Sequence, residues 1–413
     1  MNLPDAAAVI FAVTYAGIAL GGIPGLALDR TGIALLGAIA MVATGALKTG
    51  EALKAIDAST ILLLYSLMVL SGQLRLSGFY TEAAFRINRY IKRPGVFLGA
   101  LMAVSAVLSA LLANDIVCLA FTPVLCLSLM ETGMDPVPFL LGLACASNIG
   151  SAATIIGNPQ NMLIGQVARL HFGGFLLWCA PPSAVSLAAA YLVILLIFRG
   201  KWENKAAGTA VAVPVSKEQW PPFDRHQSVK GLAIACALLA MFFTPVPREL
   251  SALIAAGVLL ASRKMETQQV LGMVDWHLIT LFCALFIIVA GISRYGMPQH
   301  AVLYLENHGV DLNRPYILSL ATLVLSNILS NVPAVMLLLK HINLAAAKHL
   351  YILALISTYA GNLITIGSIA NLIIIEQAKS FGVRIGFREH ARVGVPVTAL
   401  SILIAFAWIA VAG

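Results

Sequence analysis

The chain has 413 residues, of which 60% are apolar and only 11% are charged, whereas soluble domains average roughly 45–50% apolar and about 25% charged residues. A soluble globule of this length cannot bury so much apolar surface, so the composition predicts a polytopic membrane protein and excludes a cytosolic enzyme, a secreted disulfide scaffold and a disordered chain. The formal net charge of +8 does not imply a nucleic-acid partner, because the cations of a membrane protein set its orientation in the bilayer.

Apolar stretches follow one another along the whole chain, separated by short polar segments. In chain order they are residues 5–21, 31–46, 59–75, 96–130, 137–170, 174–198, 228–243, 249–262, 277–293, 315–340, 349–378 and 391–412. Most of them have close to the roughly 20 residues that a helix needs to cross the hydrocarbon core. The sequence therefore predicts an all-α polytopic membrane protein.

Four of these stretches do not fit a single membrane crossing. Stretches 96–130 and 315–340 are too long and carry the polar sequences LAND and LSNVP in their middles, which predicts two re-entrant helical hairpins. Stretches 137–170 and 349–378 are interrupted by Asn, Gly, Ser and Thr, which predicts two discontinuous helices. Irregular backbone at membrane depth is stable only where protein or a water-filled cavity satisfies its polar groups. The functional site is therefore expected at these four interruptions.

The two halves of the chain repeat each other. The matching segments are LSALLAN (108–114) with LSNILSN (325–331), IGNPQNMLI (156–164) with IGSIANLII (366–374), and Gly72 and Arg75 with Gly291 and Arg294. These three matches occur in the same order and at nearly the same separation. They predict an internal repeat.

The positions of Lys and Arg predict the orientation of the repeats. If each hairpin enters and leaves on one side and the basic segment 75–93 is cytoplasmic, most cations lie inside. Both termini are then external, the linker 199–227 is cytoplasmic and the two repeats are inverted, which is the architecture of secondary transporters. The predicted division is residues 1–93, residues 94–198 with the first hairpin and first discontinuous helix, the linker (199–227), residues 228–314, and residues 315–413 with the second hairpin and second discontinuous helix.

Short polar side chains at the four interruptions are the candidate ligands for a substrate and a coupling ion. Gly permits unwinding, half-helix N-termini attract anions, and freed carbonyl groups hold Na⁺. The same residue types also pack membrane helices together, but their clustering at repeat-related positions favours a binding site. The predicted site consists of Asn114, Asp115, Ser147, Asn148, Thr154, Gly157, Asn158, Asn161, Ser330, Asn331, Asn362, Thr365, Gly367, Ser368 and Asn371. The candidate Na⁺ ligands among them are Asn114, Ser147, Asn148, Asn331 and Asn362.

Asp115 is the only acidic residue between Glu82 and Glu131 and lies within a predicted membrane hairpin. A carboxylate inside a membrane is costly and by default marks an ion or proton pathway. The alternative is a solvated hairpin tip or a structural partner for a helix end. Its repeat counterpart is Val332, so the two halves are not chemically equivalent. Glu376 comes late in the second discontinuous helix, and its role is open between the cavity and the membrane interface.

Four segments resemble the signature blocks of the ion transporter superfamily: SNIGSAATIIGNPQN (147–161), GNLITIGSIAN (361–371), ANDIVCLAFTP (113–123) and SNVPAVMLLL (330–339). This group includes arsenite permeases of the ArsB type, NhaD-type sodium/proton antiporters, the melanosomal P protein, plant silicon-efflux carriers and divalent anion–sodium symporters. The resemblance covers about residues 59–395. It implies a carrier, usually a homodimer, with a fixed scaffold (1–93 and 228–314) and a transport domain (94–198 and 315–413) that slides against it in an elevator-type motion. The resemblance places the substrate and cation sites at the hairpin tips and at the discontinuous, or broken, helices.

The hairpin tips depart from one branch of that group. They read Ala-Asn-Asp and Ser-Asn-Val here, where the symporter branch has Ser-Asn-Thr at both tips. The Asn-Asp pair instead resembles the arsenite-permease and P-protein branches, which argues against a two-sodium dicarboxylate mechanism.

Together these features predict a secondary active transporter of the inner membrane that moves a small oxyanion, hydroxylated metalloid or carboxylate, coupled to H⁺ or Na⁺ and without another cofactor. No GxxxxGK[ST] motif occurs, so no ATPase activity or ATPase partner is expected. A cation/proton antiporter in which Asp115 exchanges Na⁺ for H⁺ is the nearest alternative. A channel is disfavoured by the inverted hairpins. A membrane enzyme would need a nucleophile–base pair or a metal cluster, and the sequence shows neither.

Overall fold

A computed structural model describes residues 2–21, 26–202, 221–262, 264–297, 300, 304 and 311–412. These residues form α-helices and short 3₁₀ turns and include no β-strand. The helices of the first half are α1 (Leu3–Leu20), α2 (Arg30–Ala43), α3 (Thr49–Ala55), α4 (Ala58–Leu76), α5 (Phe79–Ile87), α6 (Pro94–Leu111), α7 (Asn114–Glu131), α8 (Val137–Ser151), α9 (Pro159–Val167) and α10 (Phe172–Ile197). Those of the second half are α11 (Arg225–Met241), α12 (Arg248–Leu260), α13 (Thr267–Leu271), α14 (Trp276–Ser293), α15 (Pro315–Leu329), α16 (Asn331–Leu338), α17 (Ala347–Ala360), α18 (Ile369–Ser380) and α19 (Phe387–Ala412).

Seven of the described helices are long and apolar enough to cross a membrane. They are α1, α4, α6, α7, α10, α14 and α19, and the shorter helices α2, α8 and α15 are also apolar. Large apolar side chains lie exposed on the longest of them, for example Leu177 and Leu196 on α10 and Leu403 and Val411 on α19. Such surfaces are stable when lipid covers them. The expected all-α membrane class is thereby confirmed.

Helices end at each of the four interruptions that the sequence indicates. Leu112 and Ala113 separate α6 from α7, and Ser330 separates α15 from α16. Ser330 has a φ of 76°, a conformation that residues other than glycine rarely adopt. Residues 152–158 separate α8 from α9, and residues 361–368, with a 3₁₀ turn at Thr365–Gly367, separate α17 from α18. The chain is thus irregular where its polar residues cluster.

Aspartates at equivalent positions begin one long helix in each half. The Asp57 carboxylate accepts a hydrogen bond from the Thr60 backbone N–H at 2.7 Å, and α4 starts there. Asp275 accepts one from the Leu278 N–H at 2.9 Å, and α14 starts there. Each carboxylate satisfies an N–H group that a helix N-terminus leaves unpaired. The two pairs occupy the same place in each repeat.

Several helix contacts between the two halves occur in equivalent pairs. In each pair, the second contact joins the helices that correspond to those of the first. Helix α2 packs against α14, and correspondingly α12 packs against α4. Helix α7 packs against α18, and correspondingly α9 packs against α16. Helices α10 and α19, which correspond to each other, pack together directly. Reciprocal contacts of this kind are typical of two units related by a twofold axis.

The predicted linker 199–227 lies partly outside the described residues, because residues 203–220 are not among them. Its described ends contact two loops of the first half. The Asp135 N–H donates to the Trp202 carbonyl at 2.9 Å, and the Asp224 N–H donates to the Ser77 carbonyl at 2.9 Å. The linker therefore leaves and rejoins the helices beside residues of the first half.

Candidate functional site

The tips of the hairpins α6–α7 and α15–α16 and the interruptions of the broken helices α8–α9 and α17–α18 meet at one small cavity of about 30 Å³. Its walls are Asn114, Asp115, Asn148, Asn158, Pro159, Gln160, Ser330, Asn331, Val332, Ser368 and Ile369. A cavity of this size has room for roughly one or two water molecules. None of the residues that line it is Lys or Arg, so Asp115 carries the only formal charge in its wall. The cavity is polar, enclosed by both halves of the chain and small enough for a bare cation.

Asn148 joins the first broken helix to the second. Its Nδ2 donates to Oδ1 of Asn362 at 2.9 Å and to Oδ1 of Asn371 at 3.2 Å. Its Oδ1 accepts a hydrogen bond from the Ser368 hydroxyl at 2.8 Å. Asn148 is only 2% exposed, and a buried amide of this kind must be satisfied on both its oxygen and its nitrogen. This side chain therefore fixes the two broken helices relative to each other.

The Ser368–Asn148 contact has an equivalent at the repeat-related positions of the other half. Asn158, which begins α9 as Ser368 begins α18, donates from Nδ2 to the Thr358 hydroxyl at 3.2 Å. Thr358 is the repeat counterpart of Asn148, since both pairs are separated by 210 residues in the sequence. In each half, the residue that begins the second half-helix therefore contacts the equivalent position of the other half.

Two asparagines hold the unwound segments in the same way. Asn161 donates from Nδ2 to the carbonyl groups of Ser151 at 3.3 Å and Thr154 at 3.0 Å. Its counterpart Asn371 repeats both bonds, to the carbonyl groups ten and seven positions before it, at 2.8 and 3.3 Å. Unwinding a helix frees carbonyl groups that would otherwise be unsatisfied. The amide supplies their missing donors from within the same half.

The two hairpin tips contact the ends of α8 and α17. The Ser147 hydroxyl donates to the Asn114 carbonyl at 3.4 Å. The Asn331 amide, in the orientation that satisfies both its polar atoms, donates to the carbonyl groups of Ser357 at 3.0 Å and Gly367 at 3.2 Å. Ser357 is the repeat counterpart of Ser147. Each tip is therefore tied to the broken helix of its own half, and hairpins and broken helices form one polar unit.

Asp115 lies at the wall of this unit, and its carboxylate has no bonded partner among the described residues. It is half-buried in the first turn of α7, and it makes no hydrogen bond or ion pair with another described residue. The neighbouring Ala113 N–H donates to the Ser71 hydroxyl at 3.3 Å, which brings the tip against α4. A helix N-terminus favours a negative charge nearby. The carboxylate is thus available to a cation or a proton that enters the cavity.

The structure divides the predicted site residues into two groups. Those that line the cavity are Asn114, Asp115, Asn148, Asn158, Ser330, Asn331 and Ser368. Those that lie behind it are Ser147, Thr154, Gly157, Asn161, Asn362, Thr365, Gly367 and Asn371. Three of the five candidate Na⁺ ligands are therefore in the wall, whereas Ser147 and Asn362 support it. Gly157 belongs to the second group because it packs on the Ser151 backbone, where a Cβ atom would overlap.

Sequence reasoning overlooked two buried residues that contact the site. Thr358 accepts hydrogen bonds from Asn158 and, at 3.4 Å, from Gln160; the repeat register that aligns it with Asn148 is the signal that identifies it. The second is His390 on α19, which is 2% exposed and has its Nε2 3.0 Å from the Asn362 carbonyl. No spacing pattern in the sequence marks His390, because its partner is a backbone atom.

Glycine brings α19 against the second broken helix beside that histidine. A Cβ atom at Gly394 would overlap the Asn362 carbonyl oxygen and lie 3.1 Å from His390 Nε2. His390 thus satisfies a carbonyl group freed at the end of α17, and Gly394 permits the close approach. In the portion of the chain that the structure describes, no group of three or more His, Cys, Asp or Glu residues is arranged to hold a metal ion.

The sequence of the chain is similar to those of known transporters and membrane proteins. The model of the family described as citrate transporter matches residues 10–358. The chain is 30% identical to a 46 kDa membrane protein of Mycobacterium leprae, over 97% of this chain and 96% of the relative. It is 28% identical to the silicon efflux transporter LSI3 of Oryza sativa subsp. japonica, over 94% of each chain. It is 31% identical to the inner membrane protein YbiR of Escherichia coli, over 81% of this chain and 83% of the relative.

Proposed function

The chain belongs to the citrate transporter family within the ion transporter superfamily, and from this premise we propose that it is a secondary active transporter of a small anion, oxyanion or hydroxylated metalloid, coupled to H⁺ or Na⁺. The single observation that supports this most strongly is the cavity at which both hairpin tips and both broken helices converge. Carriers with broken helices bind substrate and coupling ion at such a point near the middle of the membrane.

The chemistry of the cavity favours a weakly charged or neutral hydroxylated solute. No Lys or Arg lines it, and its wall offers amide and hydroxyl groups from Asn114, Asn158, Ser330 and Asn331. These groups donate and accept hydrogen bonds without carrying charge, which suits an arsenite- or silicate-like solute. A carboxylate or other strongly charged anion would depend on the N-termini of α9 and α18 and on a co-bound cation. The small volume means that the solute enters a more open conformation.

A Na⁺/H⁺ antiporter of the NhaD type is the second candidate. The observation that favours it is the Asp115 carboxylate, which is free of partners among the described residues and faces a cavity of cation size. In that case the cation is itself the substrate and Asp115 exchanges it for a proton. The first candidate and the second differ in whether a solute other than an ion moves.

We further propose that the two halves are inverted repeats and that the four interrupted regions move as a transport domain. Residues 94–198 and 315–413 would form this domain, and residues 1–93 and 228–314 a fixed scaffold that also carries a homodimer contact. The reciprocal helix contacts and the shared polar unit support this division. The domain would shift across the inner membrane in an elevator-type motion, with the linker 199–227 in the cytoplasm and both termini external.

Flux into proteoliposomes tests the proposal. Purified protein would be reconstituted and offered labelled arsenite, silicate, citrate, succinate and Na⁺ in turn, with a pH gradient, a Na⁺ gradient or neither. We expect one class of solute to accumulate above equilibrium only when a gradient of H⁺ or Na⁺ is imposed. Accumulation of Na⁺ alone would establish the antiporter. Gradient-independent, non-saturating flux would contradict secondary active transport.

A further inference from the structure

The contacts of the two halves differ at the end of α9. There the Arg248 guanidinium of α12 donates to the carbonyl groups of Gly165 at 2.6 Å and Leu170 at 2.9 Å. Arginine beside a helix C-terminus satisfies carbonyl groups that have no partner within the helix. This contact joins a scaffold helix to the far end of the first broken helix.

Two further bonds reinforce this connection. Gln166 donates from Nε2 to the Glu249 carboxylate at 3.0 Å, and the Ser59 hydroxyl of α4 donates to the same carboxylate at 3.3 Å. We call Arg248, Glu249, Ser59 and Gln166 the first latch. It joins α4 and α12, which we assign to the proposed scaffold, to the end of α9, which we assign to the proposed transport domain.

The repeat supplies a second set of residues at the equivalent place. In the scaffold, positions 218 residues apart correspond: Arg30 with Arg248, Ala34 with Ala252, Leu35 with Leu253, Thr49 with Thr267, Leu53 with Leu271 and Asp57 with Asp275. In the broken helices the separation is 210 residues, as the Asn161 and Asn371 contacts fix it. The counterpart of Arg248 is therefore Arg30, and that of Gln166 is Glu376.

Arg30 and Glu376 are not in contact with each other in the structure. Arg30 is half-buried at the start of α2 and Glu376 is exposed on α18, and neither makes a hydrogen bond or ion pair with another described residue. Helix α9 packs against α4, whereas the corresponding helices α18 and α14 are not packed together to a comparable extent. The described residues of the two halves thus differ in this connection.

We propose that Arg30 and Glu376 form a second latch, which closes in the alternative conformation of the transporter as the first latch opens. This inference rests on the proposed inverted repeats and elevator-type motion. When the transport residues shift, the end of α18 would approach the scaffold as the end of α9 does here, and Glu376 would meet Arg30. In the first latch the Gln166 amide bonds to Glu249, whereas the counterpart of Glu249 is Thr31, which carries no charge. The Glu376 carboxylate would therefore pair with the neighbouring Arg30 guanidinium, and the second latch is a charge-assisted ion pair.

The exchange explains why both arginines are present. A contact made in only one state would hold the carrier in that state, since it shifts the equilibrium by its full free energy. A latch at each end lets the bonds of one state replace those of the other. The structure is then the conformation in which the first latch, at Arg248, is closed. If both termini are external, the first latch lies at the outer face of the membrane. The second latch, at the inner face, is then open.

Cross-linking tests the second latch without any substrate. The background is Cys236→Ser/Cys283→Ser, which removes the two cysteines that are not buried. Two cysteine pairs would be introduced separately into it, Arg30→Cys/Glu376→Cys and Gln166→Cys/Glu249→Cys. Membranes would be treated with a short thiol cross-linker. We expect both pairs to cross-link. Arg248→Gln should raise the rate at the Arg30→Cys/Glu376→Cys pair about tenfold, the shift that one lost charge-assisted contact produces. Lys379→Gln, which alters an exposed residue of the same helix, should leave the rate unchanged.

Charge exchange gives a second readout. Arg30→Glu and Glu376→Arg should each lower flux of the solute found in proteoliposomes about tenfold, and the double variant should recover most of the loss. If Arg30→Cys/Glu376→Cys never cross-links, or cross-links at a rate that Arg248→Gln does not change, the second latch is overturned, whatever the flux. If the wild type moves no solute while the cross-links behave as expected, the proposed function fails and the latch remains.

Discussion

Asn158 donates a hydrogen bond to Thr358 across 3.2 Å, and this bond has a counterpart at the repeat-related positions, where Ser368 donates to Asn148 across 2.8 Å. The residue that begins each second half-helix therefore contacts the end of the first half-helix of the other repeat. Displacing either broken helix alone would break both connections. The polar residues around the cavity consequently move together.

Replacement of Asn148 should weaken solute binding. Asn148→Ala removes the three hydrogen bonds that join the broken helices and one wall of the cavity, and an unsatisfied buried partner costs about 1–3 kcal/mol. We expect the solute Kd to rise about tenfold or more and the melting temperature to fall. Calorimetric titration of the solute identified by flux would measure the affinity. Unchanged flux and affinity would reduce Asn148 to a helix-packing residue.

Asn161 and Asn371 should act on stability in place of affinity. Asn161→Ala leaves the carbonyl groups of Ser151 and Thr154 without their donor, at a cost of about 1–3 kcal/mol. Asn371→Ala should lower the melting temperature by at least as much, because it removes the two equivalent bonds and also the acceptor of the Asn148 amide. Thermal unfolding of the detergent-purified protein would measure both, with Lys379→Ala as the exposed control. A drop for only one asparagine would contradict their equivalence.

His390 should be replaceable by a residue that keeps its donor. The ring Nε2 lies 3.0 Å from the Asn362 carbonyl in a buried setting. His390→Leu should remove this bond and lower both flux and melting temperature, by about 1–3 kcal/mol in stability, whereas His390→Gln should retain most of each. Equal losses in the two variants would show that ring packing, and not the hydrogen bond, is what the site requires.

The sequence predicts the location of the site more accurately than it predicts which residues line the cavity and which lie behind it. Apolar length and polar interruptions place the helix breaks correctly, because irregular backbone in lipid must coincide with polar side chains. Asn148 and Asn362 are both predicted Na⁺ ligands, but the structure bonds them to each other and places only Asn148 in the cavity wall. The residue at the position equivalent to Asn148 is Thr358. His390 gave no signal, since a side chain that bonds to a backbone carbonyl leaves no pattern of spacing. Such distinctions depend on three-dimensional contact between distant segments.

The orientation can be measured independently of transport. With Cys236 and Cys283 replaced by serine, Lys201→Cys lies in the linker predicted to be cytoplasmic, and Lys340→Cys lies on a loop predicted to be external; both positions are exposed. An impermeant maleimide applied to intact cells should label only the variant at position 340. Labelling at position 201 from outside would reverse the orientation and, with it, the assignment of the first latch to the outer face.

Asp115 carries the central claim, because it is the one charged group of the cavity and has no partner among the described residues. Asp115→Asn keeps the shape and the hydrogen-bonding capacity of the side chain but removes the charge and the proton that a coupling step exchanges. Asp135→Asn, on a loop away from the cavity, is the matched control. The decisive measurement compares uphill accumulation with counterflow exchange in the same proteoliposomes. We expect Asp115→Asn to abolish accumulation driven by a pH or Na⁺ gradient while counterflow persists, and Asp135→Asn to retain both. Uphill transport by Asp115→Asn with the wild-type dependence on pH and Na⁺ would contradict the account.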